Sequence, residues 1–269
     1  MMAETPAPLR VGAVPFVNAR PLVRYLHPAE PPPTDLVLEA PSLLTEMMRS
    51  GALDAALLPS IEYFRAGDYR IIPGISISSD GMVESVRVFS RTPIENIRRL
   101  ALDESSRTSA ALVKILLKRK FGALPDFTDC APDARLDAVD ADAMLLIGDP
   151  AMTCRSADAV AVLDLGDEWK NLTGLPFVYA MWVIRGGIET GPLGKKLQAA
   201  RDVGTAHLVE LADEACRETG LSAEVCLNYM EKVMRYGLGE RETEALRLFQ
   251  QFAAEDGLCP GGVEIDFAG

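Results

Sequence analysis

A chain of 269 residues, 48% hydrophobic and 25% charged, can bury a large core and reads as a globular protein of one two-lobed domain or two small ones. Its formal net charge of −12 argues against nucleic acid or an anionic membrane as partner, since either is repelled over a Debye length. The N-terminal stretch has no basic segment followed by an apolar one, and no apolar run approaches the roughly 18 to 20 residues of a spanning helix, so a soluble, cytoplasmic protein is expected.

In chain order, residues 10–14 read as a strand, and Asn18-Ala-Arg-Pro21 opens a short helix with proline in its first turn, where the missing N–H costs nothing. A second strand falls at 35–40. Helix 43–50 follows, capped by Ser42 and stopped by Gly51, and 55–58 is a short buried strand ending in Pro59-Ser60. This β-α-β-α-β order implies parallel strands with helices packed across them. Strand-like segments come next at 70–78 and 84–91, followed by a strand at 99–102 and a helix at 106–120 that closes at Gly122. Residues 143–147 form a buried strand ending in Gly148-Asp149-Pro150, and 177–185 form a long strand. The rest reads as helices at 192–219, 222–236 and 240–256, punctuated by Gly220 and Gly237-Leu-Gly239.

The long strands at 84–91 and 177–185 bracket a middle block with its own α/β pattern. The expected architecture is therefore two α/β lobes joined by two crossing strands with an interlobe cleft, the first lobe discontinuous (1–88 plus 184–269) and the second at 89–183.

Chemistry-bearing side chains are few. Cys130, Cys154, Cys216, Cys226 and Cys259 are an odd set without Cys-x-x-Cys spacing, which disfavours both a disulfide framework and a zinc site. His27 and His207 stand apart from any other signal, so a histidine-based metal site or catalytic triad lacks its parts. No metal and no organic cofactor is expected. The residues that do cluster are hydroxyls, in 75–90 and again in 102–109, at β-to-loop boundaries. Hydroxyls and backbone N–H groups there bind a carboxylate without titrating, which points to a small anionic ligand; a polar loop plus a helix cap is the other reading.

Six ordered motifs carry a resemblance. Val14-Pro-Phe-Val-Asn-Ala-Arg-Pro-Leu22, Ala56-Leu-Leu-Pro-Ser-Ile-Glu-Tyr63, Pro73-Gly-Ile-Ser-Ile-Ser-Ser-Asp-Gly81, Leu102-Asp-Glu-Ser-Ser-Arg-Thr-Ser109, Ile147-Gly-Asp-Pro150 and Thr173-Gly-Leu-Pro-Phe177 resemble the chorismate dehydratases of the futalosine route to menaquinone, over about residues 11–185. The resemblance implies a type II periplasmic-binding-protein-like fold, a cytoplasmic hydro-lyase and chorismate as small-molecule substrate. The sibling dihydroxynaphthoate synthases share that fold but carry a Cys-Pro-Asn-Asp-type turn after the first strand, where this chain has Pro15-Phe-Val-Asn18. That synthase, or a non-catalytic small-anion-binding protein of the same fold, is the alternative.

By the same resemblance Asn18 and Ser85 are the catalytic candidates, hydrogen-bonding the leaving hydroxyl and orienting the ring. Ser106, Arg107 and Thr108 would cradle a carboxylate at a helix N-terminus, and Ser60, Gly148 and Asp149 would meet the substrate beyond the carboxyl ends of their strands. Other roles stay open: an N-cap for Asn18, an outward-facing strand position for Ser85, a cap for Ser106, an ion pair of Arg107 with Asp103 or Glu104, and a backbone N–H partner for Asp149. No histidine or cysteine sits in a motif to serve as base, and the resemblance would allow the substrate's own enolpyruvyl carboxylate to take the proton.

Overall fold

The computed structural model describes residues 7–66, 68–132, 134–154 and 159–269. The chain enters as β1 (Leu9–Ala13), a 3-10 turn (Val17–Ala19) running into α1 (Arg20–Val23), β2 (Thr34–Leu38), α2 (Pro41–Arg49), β3 (Ala55–Pro59), α3 (Ser60–Ala66) and β4 (Tyr69–Ser79). It continues through β5 (Val86–Ser90), β6 (Arg99–Asp103), α4 (Arg107–Leu116), β7 (Asp126–Cys130), β8 (Ala143–Ile147), α5 (Gly148–Thr153) and β9 (Ala161–Asp164). The last third is α6 (Leu165–Thr173), β10 (Phe177–Arg185), α7 (Gly191–Ala206), α8 (Leu208–Thr219), α9 (Ala223–Asn228), β11 (Met234–Arg235) and α10 (Glu240–Glu255).

Two sheets result, one ordered β11-β4-β10-β3-β1-β2 and the other β7-β6-β8-β5-β9. In the first, β1 runs parallel to both β2 and β3, as the β-α-β-α-β reading requires, and β10 inserts antiparallel between β3 and β4. The apolar run of β3 is buried throughout, as expected of a strand covered on both faces. Gly12 on β1 has no room for a side chain, because a Cβ there would lie 2.6 Å from Leu44 Cδ2 and from Leu53 Cδ1.

Several local expectations need correction. Ser42 lies inside α2, which starts one residue earlier at Pro41 and makes no side-chain cap bond. The helix expected at 192–219 is two helices broken at His207, where φ −121° and ψ 32° leave the helical region. Strand β7 has no counterpart among the expected strands, because four of its five residues are exposed and an edge strand of this kind carries no apolar pattern.

The larger correction concerns the crossings. All of β10 pairs within the first sheet, Met181 opposite Leu58 and Trp182 opposite Leu57 on one side and Phe177 opposite Ser79 on the other. It is therefore a core strand and not a link. The chain passes between sheets at residues 80–85 and again through α6 and residues 174–176. We propose dividing the lobes at these crossings, in place of the expected boundaries at 88/89 and 183/184.

Both crossings are pinned. Trp169 of α6 packs edge-on against Phe177 and Phe249, with ring centroids 5.1 and 6.1 Å away, which anchors the returning segment in the first lobe's core. The Asp164 carboxylate accepts from Val83 N at 2.9 Å and Glu84 N at 2.8 Å, and also caps α6 by accepting from Gly166 N and Asp167 N. Glu84 sits at φ +63°, the only non-glycine with positive φ among the described residues. A left-handed residue held by one carboxylate thus delivers the chain to Ser85.

Candidate active site in the interlobe cleft

The cleft between the sheets holds a small cavity of about 80 Å³, within about 580 Å³ of empty space once what is open at its mouth is counted. Asn18, Ser85 and the first turn of α4 line it, with apolar walls from Phe16, Leu57 and Ile147.

Asn18 belongs to the 3-10 turn after β1, whose N-cap position is Phe16 and which has no side-chain cap bond, so its amide is not spent on capping. It reaches instead to a residue that the sequence did not single out. Asn18 Nδ2 donates to Tyr229 Oη at 3.2 Å, and Tyr229 Oη donates to Ser85 Oγ at 2.6 Å. Ser85 and Tyr229 are buried, and Asn18 Oδ1 is buried without a hydrogen-bond partner. Burial pushes the Tyr229 phenol well above its ordinary value, against the smaller lowering from Ser85 and Asn18, so the hydroxyl keeps its proton and stays a donor. What the pair offers the cleft is an acceptor on Asn18 and the free proton of the Ser85 hydroxyl.

Also lining the cleft, Ser106 occupies the N-cap position of α4 but makes no side-chain cap bond, and its hydroxyl is buried and unpartnered. Unsatisfied N–H groups of the first turn and the helix dipole add positive potential there. Arg107 is exposed at the cleft rim and is the one cationic side chain among the described lining residues. It makes no ion pair with Asp103, which accepts from Ser105 N at 2.9 Å and Ser105 Oγ at 2.6 Å, held up in pKa by burial despite those bonds.

Two of the expected contacts are engaged elsewhere. Thr108 Oγ1 accepts from Ile61 N at 3.2 Å and lies 3.4 Å from Ser60 Oγ, which itself donates to Val178 O at 2.8 Å. These hydroxyls tie α4 of one lobe to α3 and β10 of the other, and Ser60 is fully buried. Gly148 and Asp149 also lie behind the cleft wall. The Asp149 carboxylate accepts from Val17 N at 3.3 Å, joining α5 to the turn that carries Asn18; burial raises its pKa, with the Val17 N–H and Arg20 opposing. Gly148 donates its N–H to Ser85 O at 2.8 Å and has φ +64°. A Cβ there would also sit 3.1 Å from the Phe16 ring, which would have to give by a few tenths of an ångström, so the positive φ is the stronger reason for glycine. Ser60, Gly148 and Asp149 thus shape the site from outside, while Asn18, Ser85, Ser106, Arg107 and Thr108 border it, Thr108 also holding the lobes together.

A family model described as menaquinone biosynthesis matches residues 9–255. The chorismate dehydratase of Thermus thermophilus is 30% identical over 266 residues, covering 91% of this chain and 94% of that protein. That of Campylobacter jejuni is 29% identical over 174 residues, 63% of this chain and 64% of that protein. Among solved structures, a protein from Archaeoglobus fulgidus has a TM-score of 0.75 at 20% identity, covering 93% of this chain and 98% of that one. The alkanesulfonate-binding protein of Xanthomonas axonopodis, bound to MOPS, has a TM-score of 0.71 at 18% identity with 98% of both chains covered. These structural likenesses establish the periplasmic-binding-protein-like fold, and the extent of the family match establishes that the chain belongs to the menaquinone biosynthesis family.

Proposed function

We propose that this chain is a chorismate dehydratase, a cytoplasmic hydro-lyase that removes water from chorismate to give 3-[(1-carboxyvinyl)oxy]benzoate in menaquinone biosynthesis. One observation carries the reading: a single cleft is bordered both by an orphaned amide acceptor beside a serine hydroxyl and by a helix N-terminus with an unpartnered hydroxyl. Chorismate has the complementary groups, a ring hydroxyl and two carboxylates.

The ring hydrogen to be lost lies on the carbon bearing the ether and is conjugated through a ring double bond to the ring carboxylate. It leaves as a proton, its electron pair moving into the conjugated system as a dienolate. The adjacent C–O bond then breaks as the ring becomes aromatic, and the departing hydroxide takes up a proton to leave as water. Aromatisation drives the reaction, so the protein's task is to fix the carboxylates and stabilise the leaving oxygen. The Ser85 O–H is suited to donate to that oxygen, and Asn18 Oδ1 to accept from the hydroxyl before it leaves.

The described lining residues include no carboxylate, histidine or cysteine, and burial pushes the Tyr179 phenol well above its ordinary value, so it does not serve as a base near neutral pH. This favours the substrate's own enolpyruvyl carboxylate as proton acceptor. An analogue with that carboxylate converted to an amide is expected to bind and not turn over, whereas full turnover would remove the substrate from this role.

Ser106 meets a carboxylate both before and during reaction. Ser106→Ala is therefore expected to raise KM about tenfold and leave kcat within about twofold, since a hydrogen bond to a charged group is worth about 1.5 to 3 kcal/mol. Steady-state kinetics decide it: an unchanged KM would take Ser106 out of the carboxylate site.

The function itself is tested by incubating purified protein with chorismate. A product lighter by one water, with benzoate absorbance, is expected. Saturable binding without product would mark an anion-binding protein, and inertness toward chorismate with turnover of a cyclised futalosine product would mark the sibling synthase.

A further inference from the structure

We propose that Tyr229 is a positioning residue for this elimination, holding Asn18 and Ser85 in a head-to-tail chain of donors that ends on the leaving oxygen. The inference rests on the dehydratase reading and deepens it.

A tyrosine hydroxyl has one proton to give. Here it goes to Ser85 Oγ at 2.6 Å, so the Ser85 proton cannot point back along the same line. The hydroxyl's acceptor side is filled by Asn18 Nδ2 at 3.2 Å, which fixes the amide plane and turns Oδ1 away from the tyrosine, where it finds no protein partner. The sequence of donors is amide N–H to phenol oxygen, phenol O–H to serine oxygen, serine O–H to the cleft. Each donor that accepts a hydrogen bond becomes a better donor in turn, and the effect is largest in a dry environment. Tyr229 and Ser85 are 1% and 2% exposed, so no water competes along this path.

The placement of the three residues adds weight. Asn18 follows β1, Ser85 stands at the crossing between the lobes, and Tyr229 comes from the turn after α9 in the C-terminal helices. Among the described residues, only the phenol joins the side chains of Asn18 and Ser85, whose backbone segments are also tied through Gly148 and Asp149. Without it, Asn18 has no described hydrogen bond to its side-chain nitrogen, and Ser85 Oγ has no described partner at all. The phenol does not transfer its own proton, because burial holds it in the neutral form; it works by donation.

Tyr229→Phe deletes one oxygen and keeps the ring. It is expected to lower kcat about 10- to 50-fold while KM moves less than about twofold and the melting temperature stays near wild type. The deciding comparison is the double variant: if Tyr229 acts through Ser85, Tyr229→Phe with Ser85→Ala has the kcat of Ser85→Ala alone. Losses that multiply, or an unchanged kcat in Tyr229→Phe, overturn the inference. An activity-independent readout goes with it. The Asn18 side-chain amide resonance, assigned by its disappearance in Asn18→Ala, is expected to shift in Tyr229→Phe, and a resonance that stays in place also overturns the inference. A wild-type protein that forms no aromatic product brings down the dehydratase reading and the inference together. An active wild type with unmoved kcat in Tyr229→Phe brings down the inference alone.

Discussion

Asn18→Ala and Ser85→Ala are each expected to lower kcat by about two to three orders of magnitude with modest change in KM, the size of loss seen when a single donor to a developing oxyanion is removed. The expectation for Ser85 follows from its place at the end of the donor chain, where its proton alone is free to meet a departing hydroxide. For Asn18 it follows from two features at once: Oδ1 is buried beside the cleft without a partner, and Nδ2 holds Tyr229 at 3.2 Å. Both variants should fold, since neither residue packs in the apolar core. Single-turnover measurement with chorismate separates chemistry from binding, and a kcat within threefold of wild type in either variant removes that residue from the reacting centre.

The second large effect is expected at a residue that does not itself line the cleft. Asp164→Ala removes the carboxylate that accepts from Val83 N, Glu84 N and the first N–H groups of α6, and leaves those donors without their partner. Its side chain is only 12% exposed, so water replaces it poorly. An unsatisfied buried donor costs about 1 to 3 kcal/mol, which puts the loss at about 3 kcal/mol or more and the fall in melting temperature at about 10 °C. The same carboxylate holds Glu84 in its left-handed conformation, so kcat should fall as well, because Ser85 is the next residue along. Close approach of the two crossings makes the point independently: a Cβ on Gly166 would lie 2.4 Å from Gly81 O, leaving no slack between them. Thermal denaturation of Asp164→Ala checks this, and a wild-type melting temperature would show that the crossings do not depend on Asp164.

What could be read from the sequence divides along physical lines. Alternation of buried strands with helices, as in Ala55-Ala-Leu-Leu58 after helix 43–50, reports the parallel part of the first sheet directly, because burial on both faces writes an unbroken apolar run. Strand β10 was legible as a strand but not as a member of the first sheet, since nothing local in Phe177–Arg185 states which sheet accepts it. Asn18 and Ser85 stand out within motifs. Tyr229 does not: it sits between Cys226 and Met230 in a buried helical stretch, where an aromatic at helical spacing reads as core packing, and only the fold brings its hydroxyl to Asn18 and Ser85. The hydroxyls of Ser60, Ser106 and Thr108 look alike in the sequence. Their partners distinguish them, since Ser60 and Thr108 are joined across the lobes while Ser106 has none. Asp149 follows the backbone N–H alternative, with Val17 as its donor.

The central claim is that the ring hydroxyl of chorismate leaves between Asn18 and Ser85 while a carboxylate rests on the first turn of α4. A structure of the Ser85→Ala variant with chorismate bound tests it most directly. The expected result is the ring hydroxyl within hydrogen-bonding distance of Asn18 Oδ1 and a carboxylate on Ser106 and the α4 N–H groups. Chorismate bound with its ring hydroxyl turned away from Asn18, or outside the interlobe cleft, would contradict it.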